Sequence, residues 1–508
     1  MLDTCRTKEI AHSVANLKSS LCAGVFVALA FTGGCVSSAA IPIEDNPAPS
    51  DQTPQAQEVE PIVDLSTDMR SPNIIFIFAD DLGWGDLSFR GNATIETPHL
   101  DQLAAEGTEF LNFTVSNPVC SPSRAAIMTG LYPSRTSVHR HFATLDHHKN
   151  FSMPDWLATD VTLMPRILQS AGYRTAHIGK WHLTSRHVPD APLPIEYGYD
   201  ESAVFNGPGP QVGYEELYDV AVDYIHANKD HPFFLNLWVH ETHTPHYPSE
   251  EGLEKYAHLE LQERVYAAVV HDADKRIGKV LDAIEEAGIA DNTLVIFTSD
   301  NGPEVTESED LFYHTGRRRA KDGEFDRLGR YFSVGTTGGL RGQKRDTYEG
   351  GIRVPFVARW PGKIPAGVKN EDAIVTAVDL LPTFASIANA ELPLGYESDG
   401  QDVSEAFLGA ATIERQKPMF WHWNYGISKS TGEPTTPLLA VREDNWKLFI
   451  NADGTVELYD LSSDLSEDHN LSSEHPDRVE RMKGLALAWE QTLPDSPPAS
   501  AISNSRDE

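Results

Sequence analysis

Three stretches, Asn73–Ala79 (NIIFIFA), Phe233–Val239 (FFLNLWV) and Leu294–Ser299 (LVIFTS), are apolar runs almost unbroken by polar residues. Such strands must be covered on both faces, as in the middle of a parallel sheet. Helical patterns lie between them. Thr97 and Pro98 predict a cap and first turn, Leu100, Leu103 and Ala104 an inner face, and Gly107 a stop. From Leu261 to Ala287, Val265, Val269, Ile277, Leu281 and Ile284 keep helical spacing. The alternation predicts an α/β fold with a doubly wound, mostly parallel sheet over residues 71–410. Beyond 411 the pattern shifts to short aromatic and β-rich segments (MFWHWNY, LLAVRE, WKLFI, VELYDL) and one helix after Pro476. This predicts a smaller C-terminal antiparallel sheet plus helix over 411–493, then a flexible tail over 494–508, which is poor in apolar residues.

The 508 residues carry 41 Lys and Arg against 75 Asp and Glu, a formal net charge of -34. That balance argues against nucleic acid as a partner, because phosphate backbones need a basic face. It leaves room for an anionic substrate in a local basic pocket. Leu21–Phe31 is an apolar run of signal-peptide length behind Arg6, Lys8 and Lys18. It ends in Thr32-Gly33-Gly34-Cys35, which resembles a bacterial lipoprotein cleavage box and would make Cys35 a lipidated first residue. Ordinary cleavage near Ala39 or Ala40 is the alternative. Residues 1–35 are therefore read as a signal peptide and 36–70, rich in Pro, Ser, Gln and acidic residues, as a flexible linker. The expected location is outside the cytoplasm, lipid-anchored at a bacterial cell envelope (outer membrane or periplasm) or else secreted. Membrane contact would be through the lipid alone. Of the four cysteines, Cys5, Cys22, Cys35 and Cys120, the folded part then keeps only Cys120, as inert core or as chemistry.

In open α/β sheets ligands gather beyond the carboxyl ends of the strands. Four such ends here carry polar groups: Asp80-Asp81, Asp300-Asn301, Lys180 with His182, and His240 with His243. One Asp after a strand reads equally well as a turn or cap residue. Two adjacent pairs read better as a site for a hard cation, Ca²⁺ or Mg²⁺, because carboxylates gathered at one edge repel each other. His240, ending a strand, reads as a core histidine. Cys120 precedes Ser121-Pro122-Ser123-Arg124 and a helix-like run. That places it at a helix N-terminus, where free N–H groups and Arg124 would cradle an anion. A nucleophile beside such a cradle fits transfer of a sulfuryl or phosphoryl group.

The blocks FADDLGWGD, NPVCSPSRAAIMTG, HIGKWHL, FTSDNGP and YEGGIRVP stand in one order along residues 72–490. Together they resemble the formylglycine-dependent sulfatases of the alkaline-phosphatase-like superfamily, closest in look to arylsulfatases and N-acetylgalactosamine-6-sulfatases. The resemblance implies that Cys120 is converted to formylglycine by a maturation enzyme. It implies that Asp80, Asp81, Asp300 and Asn301, with the residue at 120, hold one Ca²⁺, preferred over Mg²⁺. It also implies that Arg124, Lys180 and His182 hold the formylglycine, and that His243 and Lys344 contact sulfate and protonate the departing alcohol. The substrate it implies is a sulfated carbohydrate, an algal or host glycan.

His139 and Arg140 are read as a substrate subsite or a solvated loop, and Arg317 and Arg318, in a basic run, as a steering loop or a solvated face. Trp421 and Trp423 are read as core or as a platform for sugar. Two rival functions stand beside the sulfatase: a phosphoester or phosphonate hydrolase of the same superfamily, and a non-catalytic glycan-binding lipoprotein.

Overall fold

A computed structural model describes residues 71–207, 213–306, 332–409, 413–423 and 438–507. Cys35, the signal and linker segments, and Arg317 and Arg318 lie outside the described residues.

The apolar runs become adjacent strands. Ten strands form the main part: β1 (Asn73–Ala79), β2 (Thr108–Phe110), β3 (Phe113–Thr114), β4 (Arg174–Lys180), β5 (Glu201–Phe205), β6 (Phe233–Trp238), β7 (Thr293–Ser299), β8 (Phe356–Arg359), β9 (Val368–Asn370) and β10 (Val375–Thr376). Eight of them make one sheet in the order β5-β4-β6-β1-β7-β8-β2-β9, with only β8 running against its neighbours. β3 and β10 form a separate parallel pair. Along β1 the side chains divide between two cores. Ile74, Phe76 and Phe78 face one that includes the helix Cys120–Thr129, whereas Ile75, Ile77 and Ala79 face the other, with the helices Pro98–Glu106, Tyr214–Asn228 and Leu261–Glu286. Both faces are dry, which is why the run needs no polar alternation. The helix Pro98–Glu106 starts and stops as expected, but the Thr97 side chain makes no capping bond. Its hydroxyl is held instead by Ser88 and Asp101.

The C-terminal sheet is antiparallel, β11 (Met419–His422), β12 (Leu439–Glu443), β13 (Trp446–Ile450) and β14 (Val456–Asp460), followed by the helix Pro476–Glu490. Phe420, Leu448 and Leu458 pack on Met482, Ala486 and Trp489 of that helix. Trp421, Phe449 and Tyr459 join the main core. Trp421 and Trp423 are fully buried, and the Trp421 indole N–H donates to the Val115 carbonyl (2.8 Å), so neither is a sugar platform.

One buried ion cluster fastens this sheet to the segment Tyr348–Arg353. The Lys447 ammonium sits between Glu349 (2.8 Å) and Glu467 (2.9 Å), while Glu349 also receives Arg353 (2.6 Å). Burial opposes ionisation of Glu349, but Lys447 and Arg353 hold its pKa below the usual carboxylate range. Removing one partner strands charge in the interior. Lys447→Met is therefore expected to lower unfolding free energy by about 3–5 kcal/mol, read by denaturant titration; an unchanged midpoint would contradict it.

The tail, expected from the sequence to be flexible, makes contacts with the main part among the described residues. Ala501 packs with Trp156, Ala158 and Val188, and Arg506 pairs with Asp155 (2.6 Å). Its order comes from long-range polar bonds, which leave no periodic trace in a sequence. Elsewhere, Val305 bridges Val334, and the Thr306 N–H donates to the Ser333 carbonyl (2.9 Å). The segments Val305–Thr306 and Ser333–Val334 are thus held side by side.

Candidate active site

Register decides which side chains meet. Ala79 of β1 lies opposite Ser299 of β7, so the next residues, Asp80-Asp81 and Asp300-Asn301, emerge side by side; the Asp300 N–H donates to the Ala79 carbonyl (2.9 Å). On the other flank Phe78, Trp238 and Gly179 share a row, which brings Lys180 and the turn after β6 to the same edge. All the strand-end residues singled out in the sequence therefore converge.

The contacts are dense and dry. Asp80, Asp81, Asp300 and Asn301 are fully buried. Asp80 accepts from Lys180 Nζ and His240 Nδ1 through one oxygen, each at 2.5 Å. Asp81 accepts from Asn301 Nδ2 (2.8 Å) and Lys344 Nζ (2.5 Å). Asp300 accepts from Arg124 Nη2 (2.6 Å) and Nε (3.1 Å). Phe78 and Trp238 rings lie 5.3 and 4.7 Å from that guanidinium and fix its plane. Burial raises the carboxylate pKa values, and it prevails for Asp81 and for Asp300, which is pushed up to about 7. For Asp80 burial is outweighed by Lys180, His243 and His240, which hold it well below the ordinary value.

Cys120 opens the helix Cys120–Thr129, as its position before Pro122 predicted, and is buried beside Val119 and Trp423. Its Sγ lies within 4.8 Å of carboxylate oxygens of both Asp80 and Asp300. Burial raises the thiol pKa despite Lys180 and Lys344, so an unmodified Cys120 is a weak thiolate nucleophile.

These residues fit a divalent cation. Asp80 Oδ1 and Asn301 Oδ1 are buried and have no hydrogen-bond partner, although an orphaned acceptor is costly. Both are hard oxygen donors of the kind Ca²⁺ takes. Three carboxylates here already face three cationic side chains, Arg124, Lys180 and Lys344. A divalent ion would leave the pocket with surplus positive charge, a receptor for an anion.

Two histidines border the cluster. His243 is partly exposed; its Nδ1–H donates to the Thr244 carbonyl (2.6 Å) and its Nε2 lies 3.7 Å from Asp81. His182 has a positive φ of 50°, and its Nε2–H donates to the Phe142 carbonyl (3.1 Å). The His182 Nδ1 is buried without a partner, hence an available lone pair. Burial, reinforced by Lys180, pushes the His182 pKa well down. Lys344 is the converse: burial works against its charge, but Asp81 and Glu304 raise its pKa overall.

His240, read as a core residue, is buried and bonded to Asp80, and forms with Asp80 and His243 a second group close enough to share an ion. Glu304, 3.4 Å from Lys344, was not singled out either. Its placement one residue beyond the FTSDNGP block was the available signal. His139 and Arg140 line a different cavity of about 340 Å³ with Asn150, Phe151 and His422, where none of the acidic cluster appears. Gly302 marks a close approach: a Cβ there would stand 2.0 Å from the Gly350 carbonyl oxygen, so the FTSDNGP and YEGGIRVP blocks meet backbone to backbone.

Comparison with known proteins agrees with this geometry. The family model described as Sulfatase matches residues 72–390, and that of the N-sulphoglucosamine sulphohydrolase C-terminal region matches 342–486. N-acetylgalactosamine-6-sulfatase of Sus scrofa is 32% identical over 69% of this chain and 72% of its own. Arylsulfatase A of Homo sapiens is 30% identical over 82% and 87%. The solved structure of Ps i-CgsB in complex with k-i-k-neocarrahexaose superposes with a TM-score of 0.69 at 25% identity, covering 85% of this chain and 96% of that one. The chain belongs to the sulfatase family of the alkaline-phosphatase-like superfamily and is a sulfuric ester hydrolase.

Proposed function

We propose that the chain removes sulfate from a sulfated glycan, using a formylglycine made from Cys120 and one Ca²⁺ held by Asp80, Asp81, Asp300 and Asn301. The observation that carries this reading is the Cys120 sulfur at a helix N-terminus within 4.8 Å of both Asp80 and Asp300. Bound there, the ion supplies positive charge to the non-bridging oxygens of the sulfate. Hydrated formylglycine supplies a hydroxyl nucleophile and a second hydroxyl through which the aldehyde is restored. Arg124 and Lys180, fixed by Asp300 and Asp80, orient that residue. Partly exposed His243 would contact the sulfate, and the charged Lys344 would give a proton to the departing sugar oxygen. His182, with its free Nδ1, takes one away.

The names of the relatives support a glycan: N-acetylgalactosamine-6-sulfatases and a structure holding a neocarrahexaose. Sulfate release from N-acetylgalactosamine 6-sulfate and iota-carrageenan oligosaccharides, set against phosphate release from 4-nitrophenyl phosphate, tests the reading. Release from a sulfated sugar is expected to exceed phosphate release; a preference for the phosphate would favour the phosphoester hydrolase instead. Maturation is tested separately. In a host with a formylglycine-generating enzyme, the tryptic peptide containing Cys120 is expected to be lighter by the thiol-to-aldehyde difference, and a pure thiol peptide in active enzyme would contradict it. Export with a lipid on Cys35 completes the proposal, supported by the apolar run and the Gly33-Gly34-Cys35 box.

A further inference from the structure

The C-terminal tail is joined to His182 by an unbroken series of hydrogen bonds. Arg506 Nη2 donates to Asp155 Oδ1 (2.6 Å) and to the Met153 carbonyl (2.6 Å), and Arg506 Nε to Asp155 Oδ2 (2.8 Å). The Ser503 N–H adds a bond to the same carboxylate (2.8 Å), and the Asp155 N–H returns one to the Ala501 carbonyl (2.7 Å). Asp155 Oδ1 accepts from His148 Nδ1 (2.8 Å), while His148 Nε2 accepts from the Ala143 N–H (2.7 Å). The two bonds assign the His148 tautomer: Nδ1 carries the proton. His148 and Asp155 have no solvent exposure.

The Phe142–Ala143 peptide held at that end is the one whose carbonyl accepts from His182 Nε2 (3.1 Å). Phe142 is tied on its other side, its N–H donating to Ser121 Oγ (3.1 Å), next to Cys120. Asp155 also reaches the far flank of His182. Its backbone carbonyl accepts from Thr184 Oγ1 (3.0 Å), and the Leu157 N–H donates to the Leu183 carbonyl (2.8 Å). Both the acceptor that sets the His182 tautomer and the backbone that carries its left-handed conformation are thus fastened through Asp155.

We propose that Arg506, Asp155 and His148 are positioning residues that hold His182 in the Nε2–H tautomer, with its Nδ1 lone pair presented to the active site. None of the three touches the reacting atoms. Their effect on turnover rests on the proton-accepting role given to His182 above; their effect on the ring itself does not.

Two measurements separate these. In the full chain labelled with ¹⁵N-histidine, the long-range ¹⁵N–¹H spectrum of His182, assigned by its loss in His182→Gln, is expected to show an Nε2–H ring in wild type. In Arg506→Met and in Asp155→Asn it is expected to show a mixture, and Arg506→Lys is expected to restore the single tautomer. On N-acetylgalactosamine 6-sulfate and iota-carrageenan oligosaccharides, Arg506→Met should lower kcat by roughly 10-fold with KM unchanged, as loss of outer-layer support does at comparable sites. The same change in a His182→Ala background should have no further effect. A ring unaltered in both Arg506→Met and Asp155→Asn overturns the proposal. An altered ring with unchanged kcat on a working enzyme overturns instead the role of His182. A kcat loss that is additive with His182→Ala shows a merely structural tail and overturns the positioning.

Discussion

Cys120→Ala is expected to lower sulfate release by roughly 10⁴-fold or more, the scale on which removal of a covalent nucleophile acts. Its melting temperature should stay close to that of wild type, since the change removes one sulfur from a small cluster with Val119 and Trp423. Among the described residues, the carboxylates, amide and cations around it are committed to one another and offer no hydrated aldehyde in its place. Cys120→Ser tests the same point more sharply. A serine keeps an oxygen in place but lacks the second hydroxyl, so it would take sulfate once and keep it. Sulfate release by Cys120→Ala at even a hundredth of the wild-type rate would defeat the account of the site.

Chelation with EDTA is expected to abolish activity and to lower the melting temperature by a few degrees. A cation in hundredfold excess over its Kd contributes about 2.7 kcal/mol to the folded state. In the sequence alone, Asp80, Asp81 and Asp300 would face each other uncompensated once the ion is gone. The structure tempers that repulsion, because Lys180, Lys344 and Arg124 each close on one of these carboxylates. Activity should therefore fall much further than stability. Readdition of Ca²⁺ should restore both, and superimposable melting curves with and without chelator would remove the case for a cation in this cluster.

The central sheet was legible because burial on both faces imposes an unmistakable pattern on β1, β6 and β7, and because acidic pairs directly after such strands have few other uses. The convergence of Asp80, Asp81, Asp300, Asn301, Lys180, His182 and His243 followed from where parallel strands end, whereas Lys344 follows no such strand and was implied only by the family resemblance. His240 is buried as read, but its partner was not legible: a histidine after a strand looks the same whether it fills the core or bonds a carboxylate. Only the contact with Asp80 decides. The contacts of the tail were not legible for a different reason. Ser503 and Arg506 find Asp155 across some 350 positions of chain, |i−j| being 348 and 351, and polar pairs at that distance have no local signature. Trp421 and Trp423 could have been either core or platform until the antiparallel sheet turned them inward.

The bridge between Val305 and Val334 has an evolutionary consequence. Val305 and Thr306, immediately downstream of Asp300-Asn301, are tied to Val334 and Ser333, upstream of Lys344, so these two segments stay side by side whatever the length of the intervening sequence. Lengthening it costs little, since closure entropy grows only with the logarithm of length. Substitutions between the two segments are therefore expected to leave the pairing of Asp81 with Lys344, and with it the chemical step, largely as it was.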